Sequence, residues 1–319
     1  MASMLGPNPS IITIDCHYIA PRRCSAYLIL EGDTAIFVDN NTKRAVPKLL
    51  AALKQCGYTP EQVEYAIVTH CHLDHAAGSA TLLNVCPNAE LVAHPKAARH
   101  LADPSRLIAG AKMVYGDVAF EEHFGTVEPC PLDRMLVMED GDTLEVGDRT
   151  FTFIHTLGHA SHHMCIHDSG TGDIFAGDNF GMIYHELQRA PKPYCFCVGT
   201  PVEFDPAASK VSVQKIVDTG AQWAYVGHYG PHAITEARVA QLLRTLDRSE
   251  EIIEEAVASG LRESALHELI AGRVQAVTED ELQSCGLSLT PEVLQWVRPD
   301  IALNTSGLLA AAVQRMGPG

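Results

Sequence analysis

Three imidazoles and one carboxylate fall within six residues, in His70-Cys71-His72-Leu73-Asp74-His75. Neutral imidazole nitrogens and carboxylate oxygens are ligand atoms for divalent metal ions. A group this dense at one point of a chain supplies much of a coordination shell. His70 and His72 are two residues apart, so in extended backbone they project to the same side, and Cys71 projects to the other. Asp74 and His75 follow where the chain can turn, which lets them face a second ion. The apolar run Tyr65-Ala66-Ile67-Val68 precedes the group. It reads as a buried strand that opens into a loop, with fixed backbone behind the ligands.

The same arrangement, an apolar run with a ligand-type residue at its exit, recurs along the chain. Thr156-Leu157-Gly158-His159 follows Phe151 to Ile154, Ala176-Gly177-Asp178 follows Ile174-Phe175, and Val226-Gly227-His228 follows Trp223 to Tyr225. Asp39 closes Ile36-Phe37-Val38. Glycine before His159, Asp178 and His228 lets the backbone turn tightly and come close to a site. His70, His72, Asp74, His75, His159, Asp178 and His228 together offer five imidazoles and two carboxylates. That set suits two divalent ions sharing one bridging carboxylate and a water.

The elements that must position these residues follow from patterning. Ile11 to Asp39 reads as strands, with a hairpin turn at Gly32-Asp33. Ala45 to Cys56 reads as a helix stopped by Gly57. Thr59-Pro60-Glu61-Gln62 is a helix-start pattern that delivers the chain to the strand before His70. Ala76 to Leu83 is expected to be helical and Glu90 to His94 a strand, followed by a helical insertion over about 95–135. Met135 to Met138, Thr150 to His155 and Asp173 to Asp178 read as further strands. A helix is expected from Asp205-Pro206 to Asp218, then a final short strand, Trp223 to Val226. From about Ile234 long amphipathic helical patterns take over, and Thr290-Pro291-Glu292 opens one of the last of them.

Composition bounds the setting. The chain has 319 residues, 46% hydrophobic and 19% charged, as in ordinary globular proteins. It has no apolar run of the roughly 18 residues a membrane span needs. Met1 to Pro7 lacks the basic and apolar regions of a secretory signal, so a cytoplasmic location is the expectation. A net charge of -16 disfavours nucleic acid as a partner. The ten cysteines are scattered with no C-x-x-C pair, which points to reduced, mostly buried thiols.

The ordered set resembles the metallo-β-lactamase-fold hydrolase superfamily. His70 to His75 matches its H-x-H-x-D-H motif, and Asp39, His159, Asp178 and His228 match the other four motifs in order. The resemblance covers roughly residues 11–232. It implies an α/β fold, a four-layer αβ/βα sandwich, here with a C-terminal helical extension. The expected division is a catalytic domain over 1–233 and the extension over 234–319. It implies two divalent ions, zinc first, with iron or manganese as alternatives. His70, His72 and His159 would hold one ion and Asp74, His75 and His228 the other, with Asp178 as the bridge. Asp39 and His163 would support the ligands from behind.

Asp178 moves the resemblance away from true β-lactamases, which usually lack that bridging aspartate, toward glyoxalase II, lactonase and thioesterase-like branches. The chemistry implied is hydrolysis of a small ester, lactone or thioester by a hydroxide shared between the ions. Asp74 would shuttle its proton, and Tyr184 or Tyr229 would donate a hydrogen bond to the substrate. Phosphodiester or phosphotriester hydrolysis, iron-dependent redox chemistry and a non-catalytic scaffold are the alternatives. The expected partners are a small-molecule substrate and a second copy of the chain through the C-terminal helices, with neither nucleic acid nor membrane.

Overall fold

Strand residues of the N-terminal half are apolar on both sides because both sides are buried. Ala26, Leu28, Phe37, Ala66 and Leu91 point into one core, while their neighbours Tyr27, Ile29, Ile36, Val38, Ile67 and Val92 point into another. This is the two-residue alternation of a sheet covered on both faces. The computed structural model describes residues 7–197, 199–201 and 203–317. Most of the opening segment read for a targeting signal lies outside them. The chain groups into two compact units.

The first unit comprises the chain up to His155, His162–Gly177 and Thr219–Ala233. It holds two mixed six-stranded sheets. One runs in chain order through β1 (Ile11–Asp15), β2 (Ser25–Glu31), β3 (Thr34–Val38), β4 (Val63–Ile67), β5 (Glu90–Ala93) and β6 (Met135–Val137). The other contains β7 (Thr143–Val146), β8 (Arg149–His155), β9 (Met164–Asp168), β10 (Asp173–Gly177), β11 (Trp223–Val226) and β12 (Gly230–Ala233), in the order β12-β11-β10-β9-β8-β7. Phe151, Phe153, Met164, Ile166, Phe175 and Tyr225 of the second sheet meet the inner face of the first. Tyr27 packs edge-on against Phe175 and Tyr225, and its hydroxyl donates to Val226 O at 2.5 Å. That contact fixes the end of β11, two residues before His228.

Helix α1 (Val46–Gln55) lies on the outer face of the first sheet through Val46, Leu49 and Leu53. Thr59 forms the expected capping box, on a short 3-10 turn, Pro60–Gln62. The single helix expected over Ala76–Leu83 is instead two, α2 (Leu73–Ala76) and α3 (Ser79–Val85). They break at Gly78, where a Cβ would sit 3.0 Å from Asn40 O, Asn40 Oδ1 and Thr42 O. The helical insertion is α4 (Pro95–Ala102) and α5 (Ser105–His123), kinked at Gly116. Three strands depart from expectation: β7 and β9 fall outside the expected strands, and β11 is followed by a further strand, β12.

The second unit comprises Thr156–Ser161, Asp178–Asp218 and the chain from Ile234 onward. The grouping therefore differs from the linear division expected at 233/234, because two earlier segments belong with the C-terminal helices. Its helices are α6 (Pro206–Asp218), α7 (Glu236–Ser259), α8 (Glu263–Ser284) and α9 (Pro291–Met316). Val213, Leu246, Ile253, Ile270 and Leu308 form one apolar cluster between them. Met182, Tyr184 and Phe196 form another with Leu282 and Val297. Thr290 caps α9 by accepting from Val293 N, ahead of Pro291, as its sequence pattern predicts. Among the described residues no helix is long and apolar enough to cross a membrane.

Candidate metal centre

The chain leaves β4 at Ile67 and enters α2 at Leu73, and the residues between carry the histidine motif. His72 stands in extended backbone at the N-cap of α2, and Asp74 and His75 lie on its single turn. Cys71 turns away into the core, as the alternation predicts. Asn40 and Asn41 hold this turn from outside. Their backbone N–H groups both donate to His75 O, and Asn41 Nδ2 donates to Asp74 O at 2.7 Å.

Asp39 is buried behind the motif in left-handed backbone, φ +56°. Its Oδ1 accepts from Thr69 N at 2.8 Å, and its Oδ2 lies 2.9 Å from His75 Nδ1. A carboxylate only accepts, so His75 carries its proton on Nδ1 and presents Nε2 as a lone pair. Thr69 Oγ1 lies 3.0 Å from both Asp39 oxygens and 3.1 Å from His70 Nδ1. Its one proton goes to Asp39, so it accepts from His70 Nδ1–H, and His70 Nε2 is a lone pair too. Asp39 thus sets the tautomer of two histidines, one directly and one through Thr69.

His228 follows the same rule by another route. Its Nδ1 lies 2.8 Å from Arg23 O, a pure acceptor, which again leaves Nε2 as the ligand atom. His75 Nε2 and His228 Nε2 lie 3.7 and 3.4 Å from Asp74 Oδ2. These separations are too long for good N–H···O hydrogen bonds. They fit adjacent ligands on a tetrahedral ion, whose edges are about 3.4 Å for bonds of about 2.0–2.1 Å. The donor set therefore fits a divalent cation. Cys24 Sγ belongs to the same group: ligand atoms of Cys24, Asp74, His75 and His228 all lie within 4.8 Å of one another.

The other predicted residues take distinct places. The rings of His70 and His72 stand nearly perpendicular, 4.5 Å apart, and His162 packs edge-on to His72 at 5.1 Å. His163 is fully buried, 5.0 Å from the His70 ring. A Cβ at Gly177 would come within 2.5 Å of His163 Nε2 and 2.9 Å of Thr69 Oγ1, at φ +49°, so glycine is required there. In the second unit His159 Nε2 lies 3.4 Å from Asp178 Oδ2, again a ligand-edge separation. Thr200 Oγ1 donates to His159 O.

Tyr184 departs from expectation. It is 1% exposed, and its hydroxyl lies 3.1 Å from both carboxylate oxygens of Asp300. Its one proton is committed to that carboxylate, which removes Tyr184 from the candidate substrate donors. Tyr229 is also buried, and its carbonyl accepts from His232 Nε2. Sequence reading missed Thr69, Cys24 and the Arg23 carbonyl. Thr69 adjoins the motif and carries a local signal, whereas Cys24 and Arg23 carry none. All ten cysteines are thiols outside any disulfide. Away from the ligand set, His94 Nδ1 accepts from Lys96 N to cap α4, and burial, then His155, lower its pKa to about 3.

A two-sheet α/β sandwich with imidazoles and carboxylates at its strand exits defines a fold class able to hold metal ions. The chain belongs to the metallo-beta-lactamase superfamily, whose family model matches residues 19–236. It is 24% identical over 180 residues to the acyl-coenzyme A thioesterase MBLAC2 of Homo sapiens, covering 50% of this chain and 60% of that protein. It is 23% identical over 248 residues to the atrochrysone carboxyl ACP thioesterase of Aspergillus fumigatus, covering 77% of this chain and 60% of that protein. The chain thus spans 60% of the length of each of these two relatives. Among solved structures it resembles the metallo-beta-lactamase family protein TTHA1429 of Thermus thermophilus, with TM-score 0.64 and 19% identity over 97% of this chain and 94% of that one. That likeness concerns the fold.

Proposed function

We propose that the chain is a metal-dependent hydrolase of carbonyl esters, with thioesters as its first substrate class. The observation that carries this reading is the set of imidazole tautomers around Asp74. Asp39 and the Arg23 carbonyl turn His75 Nε2 and His228 Nε2 toward Asp74 at ligand-edge distances. In this reading Asp74, His75 and His228 would hold one divalent ion, and His70 and His72 would contribute to holding a second. When bound, such ions lower the pKa of water and stabilise negative charge on an attacked carbonyl oxygen. Asp74 has the exposure needed to pass a proton toward a leaving group, its side chain being 25% exposed. The thioesterase names of the two curated relatives support thioesters as the class to test first.

The test is to strip the protein with chelator, reload it with zinc, manganese or iron, and assay a panel of acyl-coenzyme A thioesters, a lactone and bis-nitrophenyl phosphate. Thioester or ester turnover that is lost on stripping and restored by metal is expected. Turnover of the phosphate diester alone, or thioester turnover unchanged after complete stripping, overturns the reading.

A further inference from the structure

We propose that Cys24 is a fourth protein ligand to the ion held by Asp74, His75 and His228, a role that rests on reading those three as metal ligands. Its sulfur is fully buried and lies with their ligand atoms inside one 4.8 Å group. The surrounding backbone fixes it there from three directions. Cys16 N donates to Cys24 O at 3.1 Å, tying the residue to β1. Ser25 N donates to Gly227 O at 2.8 Å, and His228 Nδ1 donates to Arg23 O at 2.8 Å, tying both chain neighbours of Cys24 to the segment that carries His228. Cys24 Sγ itself donates to Asp74 O at 3.3 Å. The loop between β1 and β2 that leads to it is pinned by Asp15, whose carboxylate accepts from His17 N at 2.9 Å and Arg22 N at 3.0 Å.

The chemistry is balanced simply. A sulfur–metal bond forms, the S–H bond breaks, and the proton leaves to solvent. The thiolate and the Asp74 carboxylate then supply two negative charges to one divalent cation, which suits a buried site. Two imidazoles, one carboxylate and one thiolate would then be the protein ligands offered by this one group. A sulfur ligand also biases the site toward zinc or cobalt and against manganese.

Cobalt(II) reports the assignment. The wild-type protein, stripped and loaded with cobalt, should show visible d–d bands and a near-ultraviolet thiolate-to-cobalt charge-transfer band. Cys24→Ser and Cys24→Ala should lose the charge-transfer band while keeping visible bands from the remaining ligands, and should release one proton fewer per chain on loading. Cys56→Ser, on the far end of α1, should keep the band, and circular dichroism confirms that each variant is folded. An unchanged charge-transfer band in folded Cys24→Ser or Cys24→Ala, or its absence from cobalt-loaded wild type, overturns the assignment and leaves the thiol as a hydrogen-bond donor to Asp74. A wild-type chain that takes up no cobalt overturns the metal reading itself, and this assignment with it.

Discussion

Replacing Asp39 by asparagine exchanges one carboxylate oxygen for an amide nitrogen and changes almost nothing else. Asparagine tolerates the left-handed backbone at this position, φ +56°, so strain does not confuse the result. The carboxylate now accepts from Thr69 N, Thr69 Oγ1 and His75 Nδ1. An amide has one oxygen for these three donors. If the oxygen keeps Thr69 N, the amide NH2 faces His75 Nδ1–H, two donors in a buried place. Relief requires His75 to move its proton to Nε2, which removes the lone pair that faces Asp74. If the amide flips, the clash moves to Thr69 N and the donor chain to His70 is disturbed. Either arrangement leaves a buried donor unsatisfied, at a cost of about 1–3 kcal/mol to the metal-free fold. Groups of this kind behind a ligand typically control metal affinity by about 10–100-fold. Zinc affinity measured by competition with a chromophoric chelator should therefore fall by that factor in Asp39→Asn. Urea unfolding of the stripped protein should show the stability loss separately. Wild-type zinc affinity together with a wild-type urea midpoint would refute the claim that Asp39 sets the tautomers.

Two further outcomes follow from buried groups away from the ligands. The His94 pKa of about 3 lies below its unfolded value of about 6.5, so the folded state binds this proton more weakly. Its contribution is fully present above pH 6.5 and is lost as pH falls from there toward 3, by at most about 2 kcal/mol at pH 5. His94→Asn retains a capping side chain for α4 without titrating, so the drop in urea-unfolding free energy from pH 7 to 5 in chelator should shrink by up to that amount; an unchanged drop contradicts the assignment. Tyr184→Phe removes the hydroxyl bound to the buried Asp300 carboxylate and should cost about 1.5–3 kcal/mol of stability with turnover per folded molecule unchanged. A tenfold fall in kcat at wild-type stability would return Tyr184 to the catalytic candidates.

What the sequence reveals here depends on whether a residue's partner lies close to it along the chain. The strand before His70, the α1 helix and the Thr59 and Thr290 caps are written in local periodicity and capping residues, and the structure has them within a few residues of expectation. β12 is short and begins Gly230-Pro231, residues that argue against a strand, yet it stands at the edge of its sheet, where proline is tolerated. β9 begins directly after His162-His163, and histidines that invite a functional reading mask the buried apolar run Met164-Cys165-Ile166 that opens it.

The same division governs the centre. The candidate ligand types and their order along the chain are legible because each sits near a strand exit with its own local pattern. The groups that orient them are not, because orientation comes from contacts made across the fold. Asp39 reaches His75 over 36 residues, and Arg23 reaches His228 over 205. Cys24 lies 50 residues from Asp74 with nothing beside it in sequence to mark it. Tyr184 is the converse case: it follows Asp178 closely enough to look catalytic, and a carboxylate 116 residues away claims its hydroxyl. A ligand motif therefore names the atoms that can bind an ion, while the tautomers, and the sulfur that joins them, are decided by which distant backbone groups the two sheets bring alongside.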